Sequence, residues 1–453
     1  MHALKLKHLA SFLLAGLLII APLLLGGRRP LPLLVIEIMG LCLLIVLTLI
    51  PHALKPLKRW PLVLLVSIPI LQLIPMPLAL WKVMPGRADY ALMIEGATPG
   101  VMKALPLSLV PLSTESSLAV LCVFLAVLLM ILSESQHHLK KWVWIALGVG
   151  LFESILGLAQ YGMGPQSLLR VGPGFGSISA VGTYTNRDHL AGLLEMLIPL
   201  SMAMMIASFR HDRAKETLQS FKNKLASLTF SGTFIYIMVF VLMMLAIIFT
   251  QSRAGISVMV LGTFLSLLIF GRRLGGRRAF GIGATVLIFL LMLAVGVGLM
   301  PVINRFILED PMQDLRWPML DALLTHLPHF LPWGSGLGTF GEVFERFQTE
   351  ALNGFYIDHA HNDIFEFLFE GGVLAGLVLV LFVWAYIKQW RRFWPKDRWH
   401  RHDYIKAGAG VSILLMALHS FIDFNLHVPA NLIYFALVIG LFFHEAHLKP
   451  QAS

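Results

Sequence analysis

Apolar runs of about 17–25 residues recur along nearly the whole chain, and few folds can absorb them. As a helix, each is long enough to cross a hydrocarbon core of ~30 Å. The runs near 9–26, 32–50, 61–80, 115–133, 142–161, 189–209, 230–250, 255–270, 279–300, 366–388, 407–422 and 429–445 predict about twelve spanning helices. Composition points the same way: 57% of the 453 residues are hydrophobic and 13% charged, a mixture that cannot cover a water-soluble surface. In lipid every backbone group needs an internal partner, which helices supply. The expected fold class is therefore all-α, a polytopic membrane protein forming a single integral membrane domain over residues 1–453. Lys5 and Lys7 give the first run a signal-peptide-like start, but Leu25-Gly26-Gly27-Arg28-Arg29-Pro30 offers no small-residue cleavage site, so an uncleaved helix is expected.

Lys and Arg set the orientation. With both termini in the cytoplasm, the inside loops hold Lys55, Lys58 and Arg59; Lys140 and Lys141; Arg210, Arg213, Lys215, Lys222 and Lys224; Arg272, Arg273, Arg277 and Arg278; and a dense run from Lys388 to Lys406. The formal charge of +10 is then mainly a topology signal, with some attraction to anionic lipid head groups. Split among many short loops, these residues form no single patch, so no nucleic-acid partner is expected. Cys42 and Cys122 fall inside predicted spans, which supports neither a disulfide framework nor a thiolate metal site.

Four segments are left facing outside: 81–113, 162–188, the turn around Gln251-Ser252-Arg253, and a large loop over 301–365. Loops that long are usually functional or disordered. This one holds Phe306, Trp317, Phe330, Trp333, Phe340, Phe344, Phe347 and Tyr356, enough apolar surface to pack, and DLRWPMLDALLTHL has helical spacing, so short helices are expected there.

Candidate chemistry gathers at the same face. Arg253, in TQSRAGIS, stands between two spans; an arginine near membrane depth is either a snorkelling anchor or a functional group, and small polar neighbours favour function. Arg316 lies beside Trp317 with Asp310, Asp314 and Asp321 nearby, and taken alone a local salt bridge is the better account of it. Two arginines on one face nevertheless suit a phosphate or diphosphate, which the planar guanidinium binds bidentately. Gly334, Gly336 and Gly338, in PWGSGLGTFG, follow no strand and precede no Walker lysine, so a shaped turn is expected and no nucleotide cofactor. Arg187 sits in GTYTNRDHLAG, where Asn186 or Asp188 is positioned to cap the next helix. Glu37, Glu153 and Glu195 fall within spans, either as buried hydrogen-bonding groups or as elements of a transport path.

The densest constellation is IDHAHNDIFEFLFEGG, residues 357–372. Asp363 and Glu366 have capping-box spacing and are expected to start a helix. His361 is left over by that account, and a neutral imidazole at a water-facing helix mouth suits general-base work. His359, His361 and Asp363 are metal ligands by type, but their spacing straddles a loop and a helix start without a further ligand, so no metal is expected.

In order, SRAG at a helix junction, an arginine ahead of a P-x-G-x-G-x-G-T-F loop, and HAHND followed by GGVLAG resemble the bacterial O-antigen ligase and polymerase superfamily. TYTNRDHLAG and HSFIDFNLHVPAN are similar to further family landmarks, and the resemblance covers about 180–435. It implies a C-type glycosyltransferase of the bacterial inner membrane, moving a saccharide from an undecaprenyl diphosphate carrier to a glycan, lipid A core or protein hydroxyl in the periplasm. By this resemblance Arg253 and Arg316 hold the diphosphate and His361 activates the acceptor; Arg187, His359 and Asn362, beside them in the sequence motifs, are expected as further substrate contacts. The spacing after His361-Asn362 departs from the strict ligase pattern, since Gly372-Val373-Leu374 leads to Ala375 and Gly376 follows one later. Direct inverting displacement without metal is the expected mechanism. A secondary transporter and a protein O-oligosaccharyltransferase are the rival readings.

Overall fold

The computed structural model describes residues 2–51, 53–54, 60–170, 178–215, 232–274, 304, 315–395 and 399–445. The span expected near 279–300, most of the loop segment 301–314 with Phe306, Asp310 and Asp314, and the basic residues Lys55, Lys58, Arg59, Lys222, Lys224, Arg277 and Arg278 lie outside them.

Among the described residues, eight helices have the length and apolarity to cross a membrane. They are α1 (His2–Leu23), α2 (Pro30–Thr48), α6 (Pro111–Ser133), α7 (Leu139–Gly162), α8 (Arg187–Lys215), α9 (Gly232–Thr250), α10 (Arg253–Leu274) and α13 (Asp363–Phe393). All eight fall on expected apolar runs. The run expected as a span at 61–80 behaves differently: α3 (Trp60–Leu73) stops early, because Pro75 and Pro77 cannot continue it. Pro75–Pro77 (β1) instead pairs antiparallel with Ala104–Pro106 (β2), Met76 opposite Leu105, which corrects the all-α expectation by one small ladder. Short helices α4 (Leu78–Trp81) and α5 (Ala88–Ala97) fill the connection. α14 (Arg401–His419) and α15 (Pro429–Phe443) complete the bundle. Its core runs along α8, where Leu190, Leu193, Leu194, Leu197 and Leu200 are fully buried against α9, α10 and α14.

Between α10 and α13, the described part of the long loop carries α11 (Arg316–His326) and α12 (Phe340–Phe344) with three single-turn helices, as its aromatic content predicts. Phe330, Phe340, Phe344 and Phe369 form its own small core.

α13 is broken at Gly372, whose φ of 61° and ψ of −145° are open to glycine and strained for any other residue. A break inside an apolar helix leaves carbonyls without donors, which lipid cannot satisfy. The glycine loop supplies them: Ser335 N donates to Phe369 O and Gly336 N to Glu370 O, each at 3.0 Å, while Val373 N donates back to Pro332 O at 2.9 Å. Gln72 of α3 adds a bond to Glu370 O at 2.8 Å. Gly334 (φ 78°) has no room for a Cβ, which would run into the Glu370 carbonyl. The run Gly334-Gly336-Gly338 thus serves as the shaped turn expected of it, and it seals the broken helix whose N-terminus begins at the site.

Candidate functional site

α13 starts at Asn362, whose Oδ1 accepts from Phe365 N at 3.0 Å and whose Nδ2 donates to Phe421 O at 2.9 Å. This corrects the expected cap: Asp363 does not close the box with Glu366. Its carboxylate instead accepts from Ser420 Oγ (2.8 Å), Leu426 N (3.0 Å) and His427 Nδ1 (2.7 Å). Glu366 reaches back to Ala360 N at 2.7 Å. These bonds clamp residues 359–363 from both sides, and between them His361 adopts a left-handed φ of 49°. A non-glycine residue held there costs about 1–3 kcal/mol and persists only where its surroundings over-determine it. Gln251 (φ 59°), next to Ser252 and Arg253, and Leu25 (φ 58°), near Arg28, show the same conformation at two other helix junctions.

His361 Nδ1 lies 2.9 Å from Asp423 Oδ1, in the turn between α14 and α15. The Asp423 side chain is fully buried, and that of His361 is 27% exposed. Asp423 Oδ1 also accepts from Phe424 N at 2.9 Å, while Oδ2 has no hydrogen-bond partner among the described residues. Burial alone raises the Asp423 pKa; the His361 hydrogen bond, with the nearby charges of His189 and Arg316, outweighs it and holds the carboxyl well below the usual carboxylate range. An ionised Asp423 accepts the hydrogen bond of Nδ1–H, so the Nε2 lone pair of His361 is the basic one.

Arg316, the first residue of α11, brings its guanidinium to 3.9 Å from Asp423 Oδ2 and 3.9 Å from Asp188 Oδ2. Asp188 sits in the first turn of α8, entered through Asn186, whose Oδ1 caps Asp188 N at 2.9 Å. Arg187 donates to Ser179 Oγ at 3.2 Å. Arg253 opens α10, capped by Ser252 Oγ on Gly255 N at 3.0 Å. A Cβ on Gly255 would stand 2.5 Å from that of Ala191, so the start of α10 packs on the first turn of α8. Arg253, Arg316 and His361, far apart in sequence, therefore sit at one end of the bundle.

Phe424 is the hub that sequence reasoning missed. His359 stacks on it at 4.4 Å, His361 and His189 meet it edge-on at 4.7 and 4.8 Å, and the Arg28 guanidinium lies over it at 4.8 Å. Arg28, between α1 and α2, also pairs with Asp358 at 2.6 Å. His359 Nδ1 turns away toward Glu366 Oε1 at 2.8 Å. His427 stands between Asp363 and Glu366; burial works against its protonation, but the two carboxylates outweigh that and raise its pKa to about 10. The signal for Asp423, Phe424 and His427 was present in HSFIDFNLHVPAN, a polar interruption of the same kind as HAHND between two apolar runs.

Two of the intramembrane glutamates have structural partners. Glu153 takes Thr183 N (2.8 Å) and Thr183 Oγ1 (2.6 Å), pinning the loop that leads into α8. Glu195 pairs with His419 at 2.9 Å, both fully buried, and His419 O accepts from Asp423 N at 3.0 Å.

No curated protein matches the chain. Residues 238–380, the stretch that holds Arg253, Arg316, the glycine loop and His361, match the family model described as O-antigen ligase. That match falls on residues that carry the resemblance and supports the O-antigen ligase and polymerase superfamily.

Proposed function

We propose that the protein is a glycosyltransferase of the bacterial inner membrane, moving a saccharide from undecaprenyl diphosphate to an acceptor hydroxyl on the periplasmic face, where both termini being cytoplasmic would put the His361 mouth. The observation that carries this reading is the buried Asp423 at 2.9 Å from His361 Nδ1 with Arg316 beside it. His361 Nε2 accepts the proton of the acceptor hydroxyl as its oxygen attacks the anomeric carbon. The bond from that carbon to the diphosphate oxygen breaks, and its electron pair leaves on the lipid diphosphate. Charge then accumulates on a group that is already a good leaving group, so fixed cations serve better than an acid. Arg316 and Arg253 supply them, with Arg187 and Arg28 at the rim. One displacement inverts the anomeric configuration, and no metal is needed at the reacting atoms. Asn362, with both side-chain groups engaged, acts through the helix start it caps, and His359 borders the acceptor side of Phe424.

The acceptor is a growing glycan, a lipid A core sugar or a protein hydroxyl. Transport is the weaker reading, because Glu153 and Glu195 have structural work. Purified protein in liposomes, given lipid-linked glycan and each acceptor in turn, tests the proposal: free undecaprenyl diphosphate and an elongated acceptor are expected. Glycan flux without release of the carrier would reverse it.

A further inference from the structure

One cluster at the mouth is not used by the transfer chemistry. His359 Nδ1 and His427 Nε2 converge on Glu366 Oε1, at 2.8 and 3.3 Å, and the three atoms lie within 4.8 Å of one another. The residues come from the loop before α13, its first turn, and the single-turn helix before α15, so no local spacing announces the set. We propose that His359, Glu366 and His427 form a binding site for a divalent transition metal of the zinc class.

The donor set is two imidazole nitrogens and one carboxylate oxygen, borderline ligands that suit zinc and leave a further position open. Ligand atoms around a tetrahedral zinc with bonds of ~2.0–2.1 Å stand ~3.3 Å apart. His427 Nε2 and Glu366 Oε1 already have that separation; His359 Nδ1 must withdraw from Glu366 by about half an ångström, and the two imidazole nitrogens, within 4.8 Å of one another, must settle to the same spacing.

Each ligand is also held for this purpose from behind. Asp363 accepts the Nδ1 proton of His427 at 2.7 Å, which leaves Nε2 directed at Glu366, where a metal would displace its proton. A carboxylate behind an imidazole is the usual outer support of a metal-bound histidine. Asp363 is in turn fixed by Ser420 Oγ and Leu426 N. Ala360 N occupies Glu366 Oε2, leaving Oε1 as the inward ligand. Phe424, stacked on His359 at 4.4 Å, sets that ring's plane. Charge favours a dication as well: Asp363 and Glu366 are 3% and 1% exposed, two carboxylates removed from water. His359 and His427 are 22% and 24% exposed, so one side stays open for water or an anionic oxygen. Because Phe424 stands between this cluster and His361, the cation would order the mouth and not touch the reacting atoms. The inference does not depend on the glycan-transfer reading.

The test uses the full chain in detergent, stripped with chelator and dialysed against zinc chloride or cobalt chloride alone. Close to one equivalent of zinc by mass spectrometry, and the intense visible absorption of a low-coordinate cobalt, are expected. His427→Ala and Glu366→Gln should each lose both signals, His361→Gln should keep them, and Asp363→Asn should weaken binding by about 10–100-fold. A zinc-dependent rise in the melting temperature of the unmutated protein reads the same site without a variant. Zinc retained undiminished in His427→Ala and Glu366→Gln, or no retention and no melting shift in the unmutated chain, would overturn the site and leave a network held by protons alone.

Discussion

His361 and Asp423, separated by 62 residues, meet through a 2.9 Å hydrogen bond in which the imidazole is the exposed partner and the carboxylate the buried one. This is the arrangement that fixes which ring nitrogen is basic. Asp423→Asn keeps the shape, and its Oδ1 can still accept from Nδ1 and from Phe424 N, but it removes the negative charge that stabilises the imidazolium formed when Nε2 takes the acceptor proton. Turnover should fall by about 10²–10⁴-fold while the apparent affinity for the lipid-linked donor changes little. Steady-state kinetics of the purified variant, separating kcat from KM, checks this.

The same carboxylate sets a pH dependence. Asp423 is held below the usual carboxylate range, so its contribution to stability is present above its unfolded pKa of about 3.9 and is lost as pH falls through the lower folded value. Melting temperatures of the unmutated protein and Asp423→Asn should therefore converge as pH drops below about 4 and keep a constant gap above about 5. Convergence toward alkaline pH would contradict the assignment.

Phe424 touches three imidazoles and a guanidinium, so its shape governs where they stand. Phe424→Leu keeps the apolar filling but removes the flat face. A misplacement of His361 by about 1 Å is enough to lower kcat by roughly 10²-fold. Kinetics paired with a melting curve distinguishes this from unfolding: the rate should fall far more than the stability.

The glycine loop yields a stability prediction with an internal control. Gly334 and Gly354 both have positive φ, 78° and 87°, but a Cβ at 354 meets nothing whereas one at 334 meets the Glu370 carbonyl. Gly354→Ala should cost about 1–2 kcal/mol from backbone strain alone. Gly334→Ala should cost more, because it also separates the loop from the broken helix. Thermal unfolding followed by tryptophan fluorescence reports both.

How much of this was legible in the sequence follows from which contacts are local. Apolar length alone located the eight candidate spans, since a hydrocarbon core acts on each helix separately. Proline placement could have warned that 61–80 would stop at Leu73, but hydropathy averages over it. Arg253, Arg316 and His361 were singled out because charge beside apolar runs is conspicuous. Asp423 was not, because its role exists only through a partner 62 residues away. The cap was misread by one residue: Asn362 and Asp363 are equally good caps by type, and only the bonds of Asp363 to Ser420, Leu426 and His427 decide between them. The candidate ligand set was hidden for the same reason, since residues 359, 366 and 427 have no local spacing to recognise.

The most direct test of the central claim is carrier release by purified, liposome-reconstituted protein. With undecaprenyl diphosphate-linked glycan and an acceptor, the unmutated protein should release undecaprenyl diphosphate in step with acceptor elongation, and His361→Ala, folded by its melting curve, should release none above background. Equal release by His361→Ala would contradict the account.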